Sequence, residues 1–250
     1  MRKIAFYGKG GIGKSTTCTN IAMILAKEGH RVLQIGCDPK EDSTLALHPD
    51  TPLKPILYHL LRNPQSTRLQ DVILETEDGI FCAEAGGPTP GLGCAGRGIT
   101  MALEFLKDHN ATKHYNIDCV LYDVLGDVVC GGFAVPMRKG FARHVLMVTS
   151  GEPMSLYATQ CIANAIANFQ GRGYAKLGGL VMMEKELENE EQGVHDMALS
   201  LRTSILGQIH KSPLVSEAAA KKTCVMKEYP TSDLARDYMT LTQNILDCIH

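Results

Sequence analysis

Apolar residues follow two rhythms along this chain. Short, nearly continuous apolar runs occur at Arg2 to Tyr7, RVLQIGCD (31–38), Ile80 to Ala83, Asp118 to Tyr122, His144 to Thr149, Gly179 to Met182 and Ile205 to Ile209, and they predict strands buried on both faces. Between them, apolar positions recur at three-and-four spacing. Cys18, Ile21, Ala22, Leu25 and Ala26 mark one helix face, Gly29 suits its C-terminal cap, and further helices are predicted at Thr100 to Lys107, Ser155 to Phe169, Gln192 to Thr203 and Ser232 to Ile249. Strands alternating with helices imply right-handed crossovers. The expected fold is α/β, one domain over residues 1–250, with a mostly parallel sheet covered by helices on both faces. Ligands of such sheets bind beyond the carboxyl ends of the strands.

Composition narrows the picture. With 250 residues, 44% of them hydrophobic, the chain can bury one large core, and no linker, repeat or low-complexity tract divides it. A net charge of −2, without blocks of like charge, gives no electrostatic reason to expect nucleic acid or an anionic membrane as partner. No apolar run approaches the roughly 18 residues of a membrane span. MRKIAFYGKGG runs straight into a glycine loop with no room for a signal peptide, so a cytoplasmic protein is expected. The nine cysteines are an odd number with no C-x-x-C pair, which argues against a disulfide framework or a self-contained zinc site. Cys18, Cys37, Cys82 and Cys119 fall in apolar patterns as core residues, whereas Cys94 (in GGPTPGLGCAGRG) and Cys130 (in CGGF) stand among glycines.

The strongest motif follows the first strand. Gly8, Gly13, Lys14 and Ser15 fit G-x-x-x-x-G-K-[ST], with a strand before and a helix after. In such a loop the amides of Gly10, Gly11, Ile12, Gly13, Lys14, Ser15 and Thr16 cradle phosphate, Lys14 reaches the β- and γ-phosphates, and the Ser15 hydroxyl ligates magnesium. Two acidic clusters follow at later strand ends, Asp38 and Asp42 in CDPKEDST and Asp123 and Asp127 in DVLGD. Carboxylates there can order magnesium and its waters, and one further on can orient an attacking water.

GKGGIGKSTT, IGCDPKEDST, GGPTPGLGCAGRG, YDVLGDVVCGGFAVPMR and SGEPMSLYA together resemble the nitrogenase iron protein family and its nitrogenase-like relatives. The resemblance implies a P-loop NTPase fold and a homodimeric ATPase. It also implies delivery of low-potential electrons, taken from a donor such as ferredoxin or flavodoxin, to a separate nitrogenase or nitrogenase-like catalytic component. By the same resemblance Lys9 is the signature lysine that crosses to the partner subunit's nucleotide, Asp38 to Ser43 the first switch, Asp123 to Cys130 the second, and Asp127 the water-orienting carboxylate. Cys94 and Cys130 are similar to the pair that ligates a 4Fe-4S cluster, and Arg97 resembles the exposed arginine that helps dock the catalytic partner; Arg138 and Lys139 are candidates for further docking cations. A 4Fe-4S cluster normally takes four thiolates, so two cysteines per chain imply one cluster shared by two chains, beside MgATP in each.

Departures from the family pattern concern the base. Met183 stands where the family usually has an adenine-contacting asparagine, and Ile209-His210-Lys211-Ser212 replaces the usual Pro-Arg-Asp loop, which favours a nitrogenase-like reductase over a dedicated nitrogenase component. Two other classes share the KGGxGK loop. A partition or site-selection ATPase would lack the glycine-cradled cysteines and carry a basic amphipathic tail, and a cluster-carrier ATPase would use C-x-x-C. The final electron acceptor is not legible.

Overall fold

The computed structural model describes residues 1–87, 95–126, 134–138, 140–169 and 173–249. Its elements run β1 (Arg2–Tyr7), α1 (Lys14–Lys27), β2 (Val32–Cys37), a 3-10 turn at Leu45–Leu47, α2 (Ile56–Arg62), α3 (Leu69–Val72), β3 (Leu74–Glu75), β4 (Phe81–Glu84), α4 (Ala95–Asp108) and α5 (Ala111–His114). They continue with β5 (Cys119–Val124), β6 (His144–Thr149), α6 (Pro153–Asn168), β7 (Lys176–Met183), α7 (Glu190–Ser200), β8 (Ile205–Ile209), α8 (Leu214–Ala220), α9 (Val225–Glu228) and α10 (Asp233–Cys248). One eight-stranded sheet has the order β3-β4-β2-β5-β1-β6-β7-β8, parallel throughout except for the short edge strand β3.

The seven expected strands and five long helices are present. Strand register shows why continuous apolar runs were needed: Ala5 and Tyr7 of β1 enter the core beneath α4 and α6, while Ile4 and Phe6 enter the one beneath α1 and α10. Helix α1 ends as Gly29 suggested. The Gly29 amide donates to Ala26 O and the His30 amide to Leu25 O, both at 3.0 Å, with Gly29 at φ +89°. The hydroxyl of Ser232 caps α10 by accepting from the Ala235 amide at 3.1 Å.

Helix α4 departs from expectation by starting at Ala95 rather than Thr100, so that it includes Gly96 and Gly98. Glycine disfavours a helix by about 1 kcal/mol relative to alanine, but packing overrides that preference here. A Cβ on Gly98 would meet Leu57 Cδ2 at 2.8 Å, so the absence of a side chain lets α4 lie close to α2. The short elements α2, α3, β3, α5, α8 and α9 had no sequence counterpart, because two to seven residues are too few to display a period. Among the described residues no helix is long and apolar enough to cross a membrane.

Candidate functional site

Sheet order brings the carboxyl ends of β1, β2, β4 and β5 together, and the phosphate-loop segment 8–16 rises from β1 between them. Gly13 is the N-cap of α1 at φ +113°, a backbone state that strains any residue with a Cβ, and a Cβ there would also press on Met183 Cε at 2.9 Å. Gly126 closes the loop from the β5 side. A Cβ on it would fall 2.5 Å from Gly10 N and 2.8 Å from Gly8 O, so the backbone after β5 lies directly on the phosphate loop.

The side chains of the cradle are buried and charged. Lys14 is 8% exposed, and its Nζ donates to Lys9 O at 3.2 Å, which folds the ammonium over the loop. Asp123, at the end of β5, is 3% exposed, and burial pushes its carboxyl up against the Ser15 and Ser43 hydroxyls and the Lys14 ammonium, which hold it down. Its Oδ1 has no hydrogen-bond partner among the described residues. A buried, unpartnered carboxylate oxygen beside a serine hydroxyl fits a hydrated magnesium ion, and the glycine-lined concavity capped by Lys14 fits a polyphosphate. Ser15 and Asp123 are the residues able to order that metal.

The other predicted residues surround this centre. Gly8 and Ile12 are buried, while Gly10 and Gly11 are exposed. Asp38 begins a turn in which its Oδ1 accepts from the Lys40 amide at 2.9 Å, and Asp42 is exposed on a cleft of about 320 Å³ shared with Ser15, Thr16 and Ser43. Lys9 is partly exposed and lies 3.9 Å from Glu152 Oε1. On the opposite side, a cleft of about 560 Å³ is lined by Gly13, Thr16, Met183, His210, Lys211 and Ser212, so the residues that depart from the family pattern do meet beside the phosphate loop. Arg97, in the first turn of α4, and Arg138 are exposed. Asp127, Cys94, Cys130 and Lys139 lie outside the described residues.

Of the described cysteines, Cys18, Cys37, Cys82, Cys119 and Cys224 are buried, and burial raises each thiol. A raised thiol is a poor metal ligand, and no cluster of three or more His, Cys, Asp or Glu able to hold a metal occurs among the described residues.

Sequence reasoning missed a set of buried polar side chains beneath the first acidic cluster. Gln34, on β2, is fully buried, and its Nε2 donates to Ser43 O at 2.9 Å, with Ser43 Oγ and Thr19 Oγ1 each 3.2 Å away. Glu84, on β4, accepts from both the amide and the hydroxyl of Thr44, at 2.8 and 2.7 Å. The available signal was a Gln or Glu inside an otherwise apolar strand run, VLQIG or FCAE.

A strand, a glycine cradle with a folded-over lysine, and acidic strand ends on both flanks define a P-loop NTPase. Solved structures agree on the fold: the cell-division ATPase MinD of Pyrococcus furiosus superposes with a TM-score of 0.78 at 21% identity, over 99% of each chain. A family model described as "4Fe-4S iron sulfur cluster binding proteins, NifH/frxC family" matches residues 2–249. The chain is 42% identical to nitrogenase iron protein 2 of Paenibacillus durus over 99% of its length and 84% of that protein, and 44% identical to the nitrogenase iron protein of Methanospirillum hungatei over 98% and 88%. The protein belongs to the NifH/frxC family, which joins ATP binding to a 4Fe-4S cluster.

Proposed function

We propose that the protein is the ATP-hydrolysing reductase component of a nitrogenase or nitrogenase-like system. It works as a homodimer that shares one 4Fe-4S cluster through Cys94 and Cys130 of each chain and passes electrons to a separate catalytic protein. The observation that carries this reading is the seat of Gly126 on the phosphate loop, against Gly10 N and Gly8 O. Gly126 precedes Asp127 by one residue and Cys130 by four, so a nucleotide-dependent shift of the loop passes through the covalent chain to a cluster ligand.

Lys14 and the loop amides bind the β- and γ-phosphates, Ser15 and Asp123 order magnesium with help from Asp38 and Asp42, and Asp127 orients the attacking water. Lys9, held near Glu152, reaches the partner's nucleotide when two chains close. Exposed Met154 and Tyr157, at the start of α6 beside that pair, are 63% and 66% accessible, an apolar surface suited to the same closure. When bound, the cluster supplies one-electron chemistry at low potential. Cys94 directly precedes in sequence the 14-residue helix α4. Arg97 and Arg138 supply exposed cations for the catalytic partner.

A site-selection ATPase shares the fold at 21% identity, which speaks to architecture alone. The two readings separate in one anaerobic experiment. Reconstituted wild type is expected to hold four irons per dimer with an EPR signal that changes on adding MgATP, and Cys94→Ser or Cys130→Ser to lose the iron. Gly126→Ala is expected to keep the iron while its signal no longer responds to MgATP. A colourless dimer, or Cys94→Ser with a full iron complement, overturns the proposal.

A further inference from the structure

Glu84 ends β4 at 2% exposure and has no cation partner among the described residues. One of its oxygens is fully used: Oε1 accepts from the Thr44 amide at 2.8 Å and from the Thr44 hydroxyl at 2.7 Å. The other, Oε2, has no partner among the described residues, and it lies against Gly36 of β2 so closely that a Cβ there would be 1.8 Å from it. Thr44 Oγ1 is in turn 2.9 Å from His48 Nε2, and His48 Nδ1 is 2.9 Å from Thr51 O, so a chain of polar groups leads from the buried carboxyl toward exposed Thr51. The other titratable groups facing Glu84 are Asp123 of β5, Asp42 of the first acidic cluster, and the Cys37 and Cys82 thiols of β2 and β4. Burial first, and then Asp123 and Asp42, push its carboxyl up to about 7, against the two Thr44 hydrogen bonds.

The same strand continues into the glycine-rich stretch that leads to Cys94, and the first switch touches that backbone directly. A Cβ on Gly87 would lie 2.5 Å from Pro39 Cβ, and the Gly87 amide hydrogen-bonds the Glu41 carboxylate. Thr44 holds one end of segment 38–44 to β4, and Pro39 and Glu41 hold its other end to residues just beyond β4. The segment that flanks magnesium and the strand that leads to a cluster ligand are therefore fastened at two points, one of them an ionisable group.

We propose that Glu84 is a positioning residue for nucleotide hydrolysis. As a carboxylate it holds Thr44, and through it Ser43 and Asp42, against the phosphate site; on taking up a proton it releases that segment from β4. The physical basis is that hydrogen bonds to an ionised acceptor are roughly twice as strong as those to a neutral one, and two of them converge on Thr44. This inference rests on the ATPase reading above, and its test has an arm that needs no nucleotide.

The test compares the wild-type dimer with Glu84→Gln, which imitates the protonated form. In the nucleotide-free arm, a carboxyl with a raised pKa favours the folded state while protonated, so that contribution is lost as pH rises from the ordinary carboxylate range through about 7. Glu84→Gln is therefore expected to gain in Tm relative to wild type as pH increases, and to lack a carboxylic-acid infrared band that titrates near neutrality in wild type. In the second arm, wild-type MgATP hydrolysis is expected to rise with pH as Glu84 ionises, over a range displaced below the nucleotide-free one because magnesium offsets the Asp123 and Asp42 charges that push the carboxyl up. Glu84→Gln is expected to stay flat at the wild-type acidic level, about 10-fold below wild type on the alkaline side, as two charge-assisted hydrogen bonds become neutral ones. Should Glu84→Gln fail to fold, Thr44→Val serves, since deleting one bond to the ionised form moves both titrations to higher pH. A Glu84→Gln protein with the wild-type pH profile, or a Thr44→Val protein whose titration does not move, overturns the proposal. A wild type that shows the infrared titration but no hydrolysis overturns the ATPase reading instead.

Discussion

The two sides of the nucleotide cleft are built on opposite principles. At the phosphate side, Lys14, Asp123, Gln34 and Glu84 are 8%, 3%, 0% and 2% exposed, and one oxygen of each of the last three lacks a partner among the described residues. At the other side, the side chains of His210, Lys211 and Glu186 are 60%, 58% and 62% exposed and already paired: His210 with Asp237 at 2.8 Å and Lys211 with Glu186. Groups buried without partners are costly in the empty protein and improve when a ligand supplies what is missing. Exposed groups that satisfy one another gain little from a newcomer. The phosphates and magnesium should therefore carry most of the binding energy, with the base adding little.

The sharpest break in that contrast is Lys14→Ala. Removing a buried ammonium from the phosphate cradle is expected to weaken MgATP binding by about 100-fold, the ~3 kcal/mol at the upper end for hydrogen bonds to charged groups. Titration calorimetry would register it, and a loss under about 5-fold would mean the phosphate side is not what holds the nucleotide. Lys211→Ala at the other side should change the same affinity by less than about 3-fold, because its ammonium is exposed and paired with Glu186. A loss of about 10-fold or more would show that this loop reads the base after all.

Smallest is the pH response of the His210–Asp237 pair. The hydrogen bond to Asp237 raises the His210 pKa, so the stability it contributes is fully present below the free histidine value of 6.5 and fades as pH rises through the raised one. Asp237→Asn should remove that dependence, shifting Tm in mild acid by only about 1–2 °C, since the histidine is largely exposed. Differential scanning calorimetry on either side of neutrality would measure it.

Legibility followed the same division. G-x-x-x-x-G-K-[ST] between a strand and a helix was readable because phosphate binding demands local backbone geometry, and local geometry is written in consecutive residues. Met183 and His210 were marked as base-side from the motif pattern, and the structure does bring them to one cleft although 27 residues part them. Gln34 and Glu84 were not singled out, since nothing nearby in sequence reveals that both reach segment 38–44. The glycines of GGPTPGLGCAGRG suggested a cradle for a cluster. Gly87 and Gly98 prove to be needed for protein packing as well, against Pro39 and Leu57.

Apolar rhythm and the phosphate-loop motif were sufficient to specify a parallel α/β ATPase, because periodicity and loop chemistry are properties of short stretches, and the family resemblance of the segments around Cys94 and Cys130 added an expected iron-sulfur site. Which strand ends meet is another matter. It depended on the crossover order β4-β2-β5-β1, which sets Glu84 beside Gly36, Asp123 beside Ser43 and Gly126 upon Gly10 across separations of up to 116 residues. Those contacts form only when a sheet closes a common core. Burial in that core then sets the Glu84 carboxyl near neutrality, a property that no stretch of the unfolded chain possesses.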